Sequence, residues 1–405
     1  MGFKAWHWVL VLGVSALVVA CGGAPAAPVT PTQPFPAVAA AAEPTATVTP
    51  PTPSAATRDT HLVFLVLGSQ RPEVRWVPVD ELGLPPVAAG NSTQQPSGLP
   101  VAGEVQVVGD RAYMAQEGTV FAYTPDGQMT PLEFTSSAVR PAPIKPFLVS
   151  PSGRQIVWVE PQFQEAPGTR RNVLSVANID GSNARVVWEL EEDQPGYLQP
   201  LGWNEPAGLL SVGLMPVMAD RYVAPGQPGA LELTQVDLSG EGSRPRELIS
   251  QIFDCGERAC ILGVSPNGTQ FASVEYGQND APTRLVVGST TPGGALVWDL
   301  PAGVQSLSDA TWLEQPGQLA VKALGQDGRF QIIVADLQAN STTTWYEGAR
   351  EVTPRLFVDA RRLLVVSQRE GEGVGGVLAT LLLTPDGTLD PVAPEMAVLG
   401  SGVVQ

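Results

Sequence analysis

Few side chains in this sequence have the type and spacing that chemistry requires. Outside the first twenty residues the one histidine is His61, so a Ser-His-Asp triad, an H-E-x-x-H zinc site and most imidazole general bases all depend on that residue. Beside a strand at the start of the folded region, it reads as structural. No G-x-S-x-G elbow occurs. The lysines are Lys4, Lys145 and Lys322 and no G-x-x-x-x-G-K phosphate loop contains them, which excludes nucleotide hydrolysis of that type. Gly371-Glu372-Gly373-Val374-Gly375-Gly376 satisfies G-x-G-x-x-G. It leads into an apolar run, Val377 to Leu383, and not into the helix that a pyrophosphate site needs, so it reads as a hairpin loop.

Carboxylates remain. Glu189, Glu191, Glu192 and Asp193 cluster, but without the D-x-D-x-D-G spacing of a calcium loop they read as a solvated charge run. A carboxylate pair for glycoside cleavage depends on a separation that only the fold sets. Cys255 and Cys260 form a C-x4-C pair in Asp254-Cys255-Gly256-Glu257-Arg258-Ala259-Cys260. In an exported chain this predicts a short-loop disulfide, because a zinc site would need two further ligands close by. No metal, no cofactor and no catalytic residue is expected.

The elements that would position these groups are set by a turn that recurs along the chain. Asp80 to Gly83, Pro125-Asp126-Gly127, Asp180-Gly181, Asp237 to Gly240, Pro292-Gly293-Gly294, Asp336 to Asn340 and Pro385-Asp386-Gly387 follow one another at about 45 to 55 residues, a period of propeller blades. Each closes one strand and opens another. Between turns a four-strand pattern repeats, most clearly from Pro146 to Trp188, where Gln155-Ile156-Val157-Trp158-Val159-Glu160 is rich in β-branched and aromatic residues. Pro and Gly recur too often for long helices. The reading is an all-β, seven-bladed β-propeller of four-stranded antiparallel blades over residues 59–405. Leu62 to Leu67, Glu73 to Val79 and Pro85 to Ala89 give the first blade three strands. A strand within Met396 to Val404 is left over at the chain's end, and it is expected to complete that blade and close the ring.

Turn chemistry on one face leaves the longer connections on the other, where binding is usually carried. Arg170, Arg171, Tyr197, Arg221, Tyr222, Arg258 and Tyr276 fall there and are the candidate ligand contacts, since Arg and Tyr are enriched at anchored interfaces. The net charge of −17 opposes binding to nucleic acid or to acidic lipid surfaces.

The amino terminus has the layout of a secretory signal. Lys4 precedes an apolar run, Trp8 to Ala20, that is short for a membrane span. Leu17-Val18-Val19-Ala20-Cys21 resembles the bacterial lipobox, which implies removal of residues 1–20 and acylation of Cys21. Residues 21–58, dominated by Pro, Ala and Thr, cannot bury a core and read as a disordered tether.

Ser150-Pro151-Ser152-Gly153 and Ser265-Pro266-Asn267-Gly268, each ahead of an aliphatic-aromatic strand, resemble the Ser-Pro-Asp-Gly turn of the TolB-like β-propeller repeat, with its aspartate replaced. The resemblance spans the domain from about Asp59 and implies an envelope propeller; the chain is expected to be a monomer held to the membrane through the lipid on Cys21. Its function is expected to be non-catalytic binding of an envelope protein, peptide or glycan. The alternative is a carboxylate- or metal-dependent extracytoplasmic hydrolase or lyase at the mouth of the central channel, and carboxylates converging there would favour it.

Overall fold

A computed structural model describes residues 60–66, 73–85, 87, 105–136, 146–163, 170–191, 196–216, 229–239, 249–256, 258–277, 280–291, 293–315, 317–368 and 378–403. They belong to the larger of two compact units of the chain, Pro53–Gln405. The expected leader, Cys21 and the tether lie outside the described residues, as do Arg221 and Tyr222 and the glycine-rich segment 371–376.

Twenty-seven strands are described, and the only helices among them are three single 3-10 turns. Blade 1 holds β1 (Thr60–Val66) and β2 (Glu73–Pro78). Blade 2 holds β3 (Val105–Val108), β4 (Arg111–Gln116), β5 (Thr119–Tyr123) and β6 (Met129–Leu132). Blade 3 holds β7 (Phe147–Val149), β8 (Gln155–Phe163), β9 (Arg170–Asn178) and β10 (Arg185–Glu191), and blade 4 holds β11 (Gly196–Asn204), β12 (Leu209–Pro216), β13 (Glu232–Asp237) and β14 (Ile249–Asp254). Blade 5 is β15 (Ile261–Val264), β16 (Gln270–Tyr276), β17 (Pro282–Ser289) and β18 (Leu296–Asp299). Blade 6 is β19 (Val304–Leu313), β20 (Gln318–Gly325), β21 (Phe330–Asp336) and β22 (Ser341–Gly348). Blade 7 is β23 (Val352–Asp359), β24 (Arg362–Gln368), β25 (Leu378–Leu383) and β26 (Leu389–Pro394), followed by β27 (Met396–Val403).

Each blade is an antiparallel meander, and neighbouring inner strands touch in the cyclic order β27, β3, β7, β11, β15, β19, β23 and back to β27. The ring is therefore closed, with β27 antiparallel to β1 from Thr60↔Val403 to Val66↔Met396. This is the seven-bladed propeller and the carboxy-terminal closure that the turn spacing predicts. Blade 1 differs in detail. It is the three-stranded sheet β2-β1-β27; a 3-10 turn, Asp80–Leu82, follows β2, and at the described residues of the expected strand Pro85 to Ala89, namely Pro85 and Val87, the backbone is not strand. Two adjacent prolines, Pro85 and Pro86, remove the N–H groups that a ladder needs.

The turns follow their residue types. Thr124 and Thr384 hydroxyls donate to the carboxylates of Asp126 and Asp386 in matching Thr-Pro-Asp-Gly loops. Those hydroxyl bonds, with backbone N–H bonds to the same groups, hold both carboxyls below their ordinary range. Gly268, at φ +67°, is required for a second reason: a Cβ there would lie 2.4 Å from the Asn204 nitrogen of the preceding blade.

Hydrophobic burial lies between blades. One cluster joins Leu148, Val157 and Leu174 of blade 3 to Leu198, Trp203 and Leu210 of blade 4, and another joins Ile332 and Trp345 of blade 6 to Phe357 and Leu363 of blade 7. Middle strands are covered on both faces, so β20 reads as a nearly unbroken buried run. The outer β22 alternates toward solvent. Polar bonds also cross the seams. The Gln106 amide bonds both backbone groups of Val149, donating at 2.9 Å and accepting at 2.6 Å. Glu205 accepts from the Ser152 N–H at 2.8 Å, and Glu314 accepts from the Asn267 N–H at 2.8 Å. The two Ser-Pro-x-Gly turns thus occupy the same role, each clipped by a glutamate of the next blade.

Candidate functional site

The seam between blades 6 and 7 departs from this apolar rule close to the inner strands. Glu351, Thr353 and Arg355 alternate along the start of β23, a period that places them on one face. Facing them from blade 6 are Asp309 on the inner strand β19 and Lys322 on β20. Both inner strands are bulged at these residues: the β19 register skips between Ser308 and Thr311, and the β23 register skips at Arg355, between Pro354 and Leu356. Bulges re-aim side chains, and they recur beside functional sites. Three other inner strands skip at leucines, Leu201, Leu262 and Leu399, each of which packs into or against a hydrophobic cluster. Blades 6 and 7 place charge at that position.

Lys322 is the hub. Its ammonium lies 2.9 Å from Asp309 Oδ2 and 3.1 Å from Glu351 Oε1, and donates to Thr353 Oγ1 at 3.4 Å. Three N–H donors thus meet three acceptors. The Lys322 and Asp309 side chains are 7% and 4% exposed, whereas Glu351 is 37% exposed, so the cluster runs from a sealed ion pair to an accessible carboxylate. Asp309 Oδ2 also accepts from the Ser308 hydroxyl at 2.8 Å. Its Oδ1 is buried with no hydrogen-bond partner among the described residues. The Asp309 backbone has φ +51°, a left-handed conformation that a non-glycine residue adopts at a cost and that concentrates at functional sites.

The electrostatics follow from this packing. Burial pulls the Lys322 ammonium down, but Asp309 and Glu351 together outweigh it and hold the group above the ordinary lysine value. Burial lowers Arg355 from the usual arginine range, opposed by the Asp309 carboxylate. Arg355 is half-buried. The cluster holds two cations and two carboxylates, so it is neutral overall. Removing such charges from water costs several kcal/mol per ion before their attraction repays it, and a buried cluster of perturbed groups of this kind is a functional-site candidate on physical grounds.

The residues singled out from sequence lie elsewhere. Arg258 and Tyr276 are brought together: the guanidinium carbon lies 3.9 Å from the ring centroid, the Tyr276 hydroxyl donates to Ala259 O at 2.9 Å, and Arg258 pairs with Asp280 at 3.3 Å. The Tyr276 phenol is raised by burial, with Arg258 opposing. Cys255 and Cys260 are joined in that connection, with a Cα separation of 5.7 Å. Tyr197 packs, with Tyr276, against the same hydrophobic cluster. Arg171 pairs with Glu189, which uses one member of the acidic run for a cross-strand contact between β9 and β10. Arg170 lies on β9 opposite Phe163. His61 lies in β1 opposite Gly402 of the closing strand, where it has a contact of its own. No group of three or more metal-ligating side chains occurs among the described residues.

The blade 6–7 cluster was not among the sequence candidates, although one signal was present. Lys322 interrupts Leu319-Ala320-Val321 and Ala323-Leu324, and a lysine inside a doubly covered strand must find a buried counter-charge. The sequence alone does not say that Asp309 and Glu351 supply it.

No family model and no curated protein sequence matches the chain. Solved structures do. An oligogalacturonate lyase in complex with manganese superposes with a TM-score of 0.51 at 13% identity, covering 82% of this chain and 84% of that one. TolB from Acinetobacter baumannii matches with a TM-score of 0.39 at 11% identity over 85% and 66% of the two chains. A puromycin-hydrolyzing peptidase of Mycobacterium tuberculosis matches with a TM-score of 0.48 at 14% identity over 86% of this chain and 56% of that one. The likeness is one of fold. It corrects the expectation of a chain without catalysis, because an enzyme, the oligogalacturonate lyase, is among the solved structures that share this fold. The chain is a seven-bladed β-propeller, and its likeness to the oligogalacturonate lyase is one of fold.

Proposed function

We propose that this chain is a lipid-anchored extracytoplasmic enzyme, a carboxylate-dependent hydrolase or lyase, with its site in the propeller channel at the seam of blades 6 and 7. One observation carries the reading: the cluster of Asp309, Lys322, Glu351 and Arg355 on and beside two bulged inner strands. Glu351 is the accessible carboxylate and takes the role of general base. In hydrolysis it removes a proton from water as the water oxygen attacks the scissile centre; in elimination it removes a proton from carbon as the leaving group departs with its bonding pair. In either case the departing group then takes up a proton from water. Lys322, anchored by buried Asp309, holds Glu351 in place and is a positioning residue. Arg355 stabilises the negative charge that develops as the bond breaks.

Two substrate classes suggested by the solved neighbours test this directly, an oligogalacturonide and a chromogenic aminoacyl amide. The full chain is expected to turn over one of them, with new ultraviolet absorbance from a carbon–carbon double bond marking elimination. Glu351→Gln is expected to lower kcat by about a hundredfold or more, the usual contribution of a positioned base. No turnover of either class, or equal turnover by the variant, refutes the proposal.

The address rests on the Cys21 sequence context and on the Pro-rich segment that follows it. Mass spectrometry of membrane-extracted protein is expected to find an amino-terminal peptide that begins at an acylated Cys21. An unmodified cysteine in that peptide overturns the anchored location.

A further inference from the structure

We infer that the seam between blades 4 and 5 is a binding site for an internal water, held by the hydroxyls of Ser211 and Ser273 and the side-chain amide of Gln235. The site is separate from the one proposed above. Ser211 and Ser273 are 1% exposed and Gln235 is 9% exposed. Ser211 Oγ, Ser273 Oγ and Gln235 Nε2 are buried with no hydrogen-bond partner among the described residues. All three turn into one seam. Ser211 stands opposite Gly202 in the β11–β12 ladder and opposite Gln235 in the β12–β13 ladder, so the three share a face of blade 4. That face meets blade 5, because a Cβ on Gly202 would lie 2.5 Å from Val264 Cγ1. From the other side, Phe271 of β16 packs on Phe253 of blade 4 with ring centroids 5.2 Å apart. Ser273, two residues further along the same strand, faces the same way.

Other blades are apolar at these places. Ser211 is the third residue of β12, where the second strands of blades 3, 6 and 7 have Val157, Ala320 and Leu364. Ser273 is the fourth residue of β16, where blades 4, 6 and 7 have Val212, Val321 and Val365. The two serines therefore lie about one residue, roughly 3.4 Å, apart in depth, and Ser273 leaves room that valine fills elsewhere. Burying a polar atom unpaired costs its full desolvation, and a water with about three polar partners removes that cost. Here the water accepts from Gln235 Nε2 and exchanges hydrogen bonds with the two hydroxyls, each of which can donate or accept.

A high-resolution crystal structure of the full chain is expected to show one ordered water within about 2.7–3.2 Å of the three atoms. Ser211→Ala and Ser273→Ala are each expected to lower the melting temperature, by about 2–4 °C for one lost hydrogen bond. The double variant should lose less than the sum of the two, since one water is shared. A dry seam predicts the opposite sign: removing an unsatisfied hydroxyl would raise the melting temperature. No density at the site, a rise in melting temperature with either alanine, or a bromide anomalous peak there after soaking, which would make the occupant an anion, overturns the inference.

Discussion

Lys322→Met is expected to destabilise the propeller by about 3–5 kcal/mol, the cost of leaving buried charge uncompensated when one partner of a sealed ion pair is removed. Asp309 is 4% exposed and held by that ammonium at 2.9 Å, so it cannot turn to water once the lysine is gone. Glu351→Gln, at the exposed end of the same cluster, is expected to cost less than about 1 kcal/mol because water screens it. Urea unfolding of the two variants measures both values, and near-equal costs would show that the cluster is hydrated throughout. The pH dependence has a definite sign. The folded Lys322 lies above its unfolded value, so its contribution is complete at pH below the ordinary lysine pKa and is lost as pH rises through the raised folded one. Alkaline unfolding should therefore begin earlier in the parent than its neutral-pH stability suggests, and Lys322→Met should remove that component.

Ending the chain at Pro394 is expected to have a comparably large effect. It removes β27, exposes the whole of β1 from Thr60 to Val66 as an unpaired edge, and opens the seam where Ala397 and Val398 share a buried cluster with Leu356 and Val358 of blade 7. It also strips Thr380 of its two bonds to the closing strand, the hydroxyl donating to Met396 O at 2.8 Å and accepting from the Val398 N–H at 3.0 Å. An open ring with a buried edge strand uncovered should lose cooperative melting and associate through that edge. Light scattering and calorimetry read both. A truncated chain that stays monomeric and melts in one transition near the parent's temperature would mean that β27 does not hold the ring. Thr380→Val tests the pin separately, with an expected loss of about 1–3 kcal/mol for the buried N–H of Val398 left without its acceptor.

The blade pattern was legible because its determinants are local. Pro and Gly at the hairpins, Asp carboxylates that accept their own turn's N–H groups, and β-branched runs between them act over a handful of residues, so Thr124-Pro125-Asp126-Gly127 and Thr384-Pro385-Asp386-Gly387 can be matched by eye and prove to be the same device. The closing strand was legible by subtraction, since blade 1 lacked an inner strand and the last blade had one to spare. The Cys255–Cys260 loop was expected from its short spacing and is closed in the structure, whereas the stacking of Arg258 on Tyr276 is a contact that the fold supplies.

The candidate site was not legible, and the reason is distance along the chain. Asp309 and Lys322 lie on different strands and Glu351 directly precedes a third, and what joins them is the register of β19 on β20 with the seam between β19 and β23. A residue's place in a ladder shifts with every bulge, and a one-residue slip sends its side chain to the opposite face; the skips at Asp309 and Arg355 are set by packing between blades and leave no mark in composition. Sequence by itself determined that this chain would make a closed ring of antiparallel sheets, because turn and strand preferences are properties of neighbouring residues. Only the tertiary structure decided which charges meet inside that ring, because a buried ion pair exists only where two distant strands are held together with water excluded.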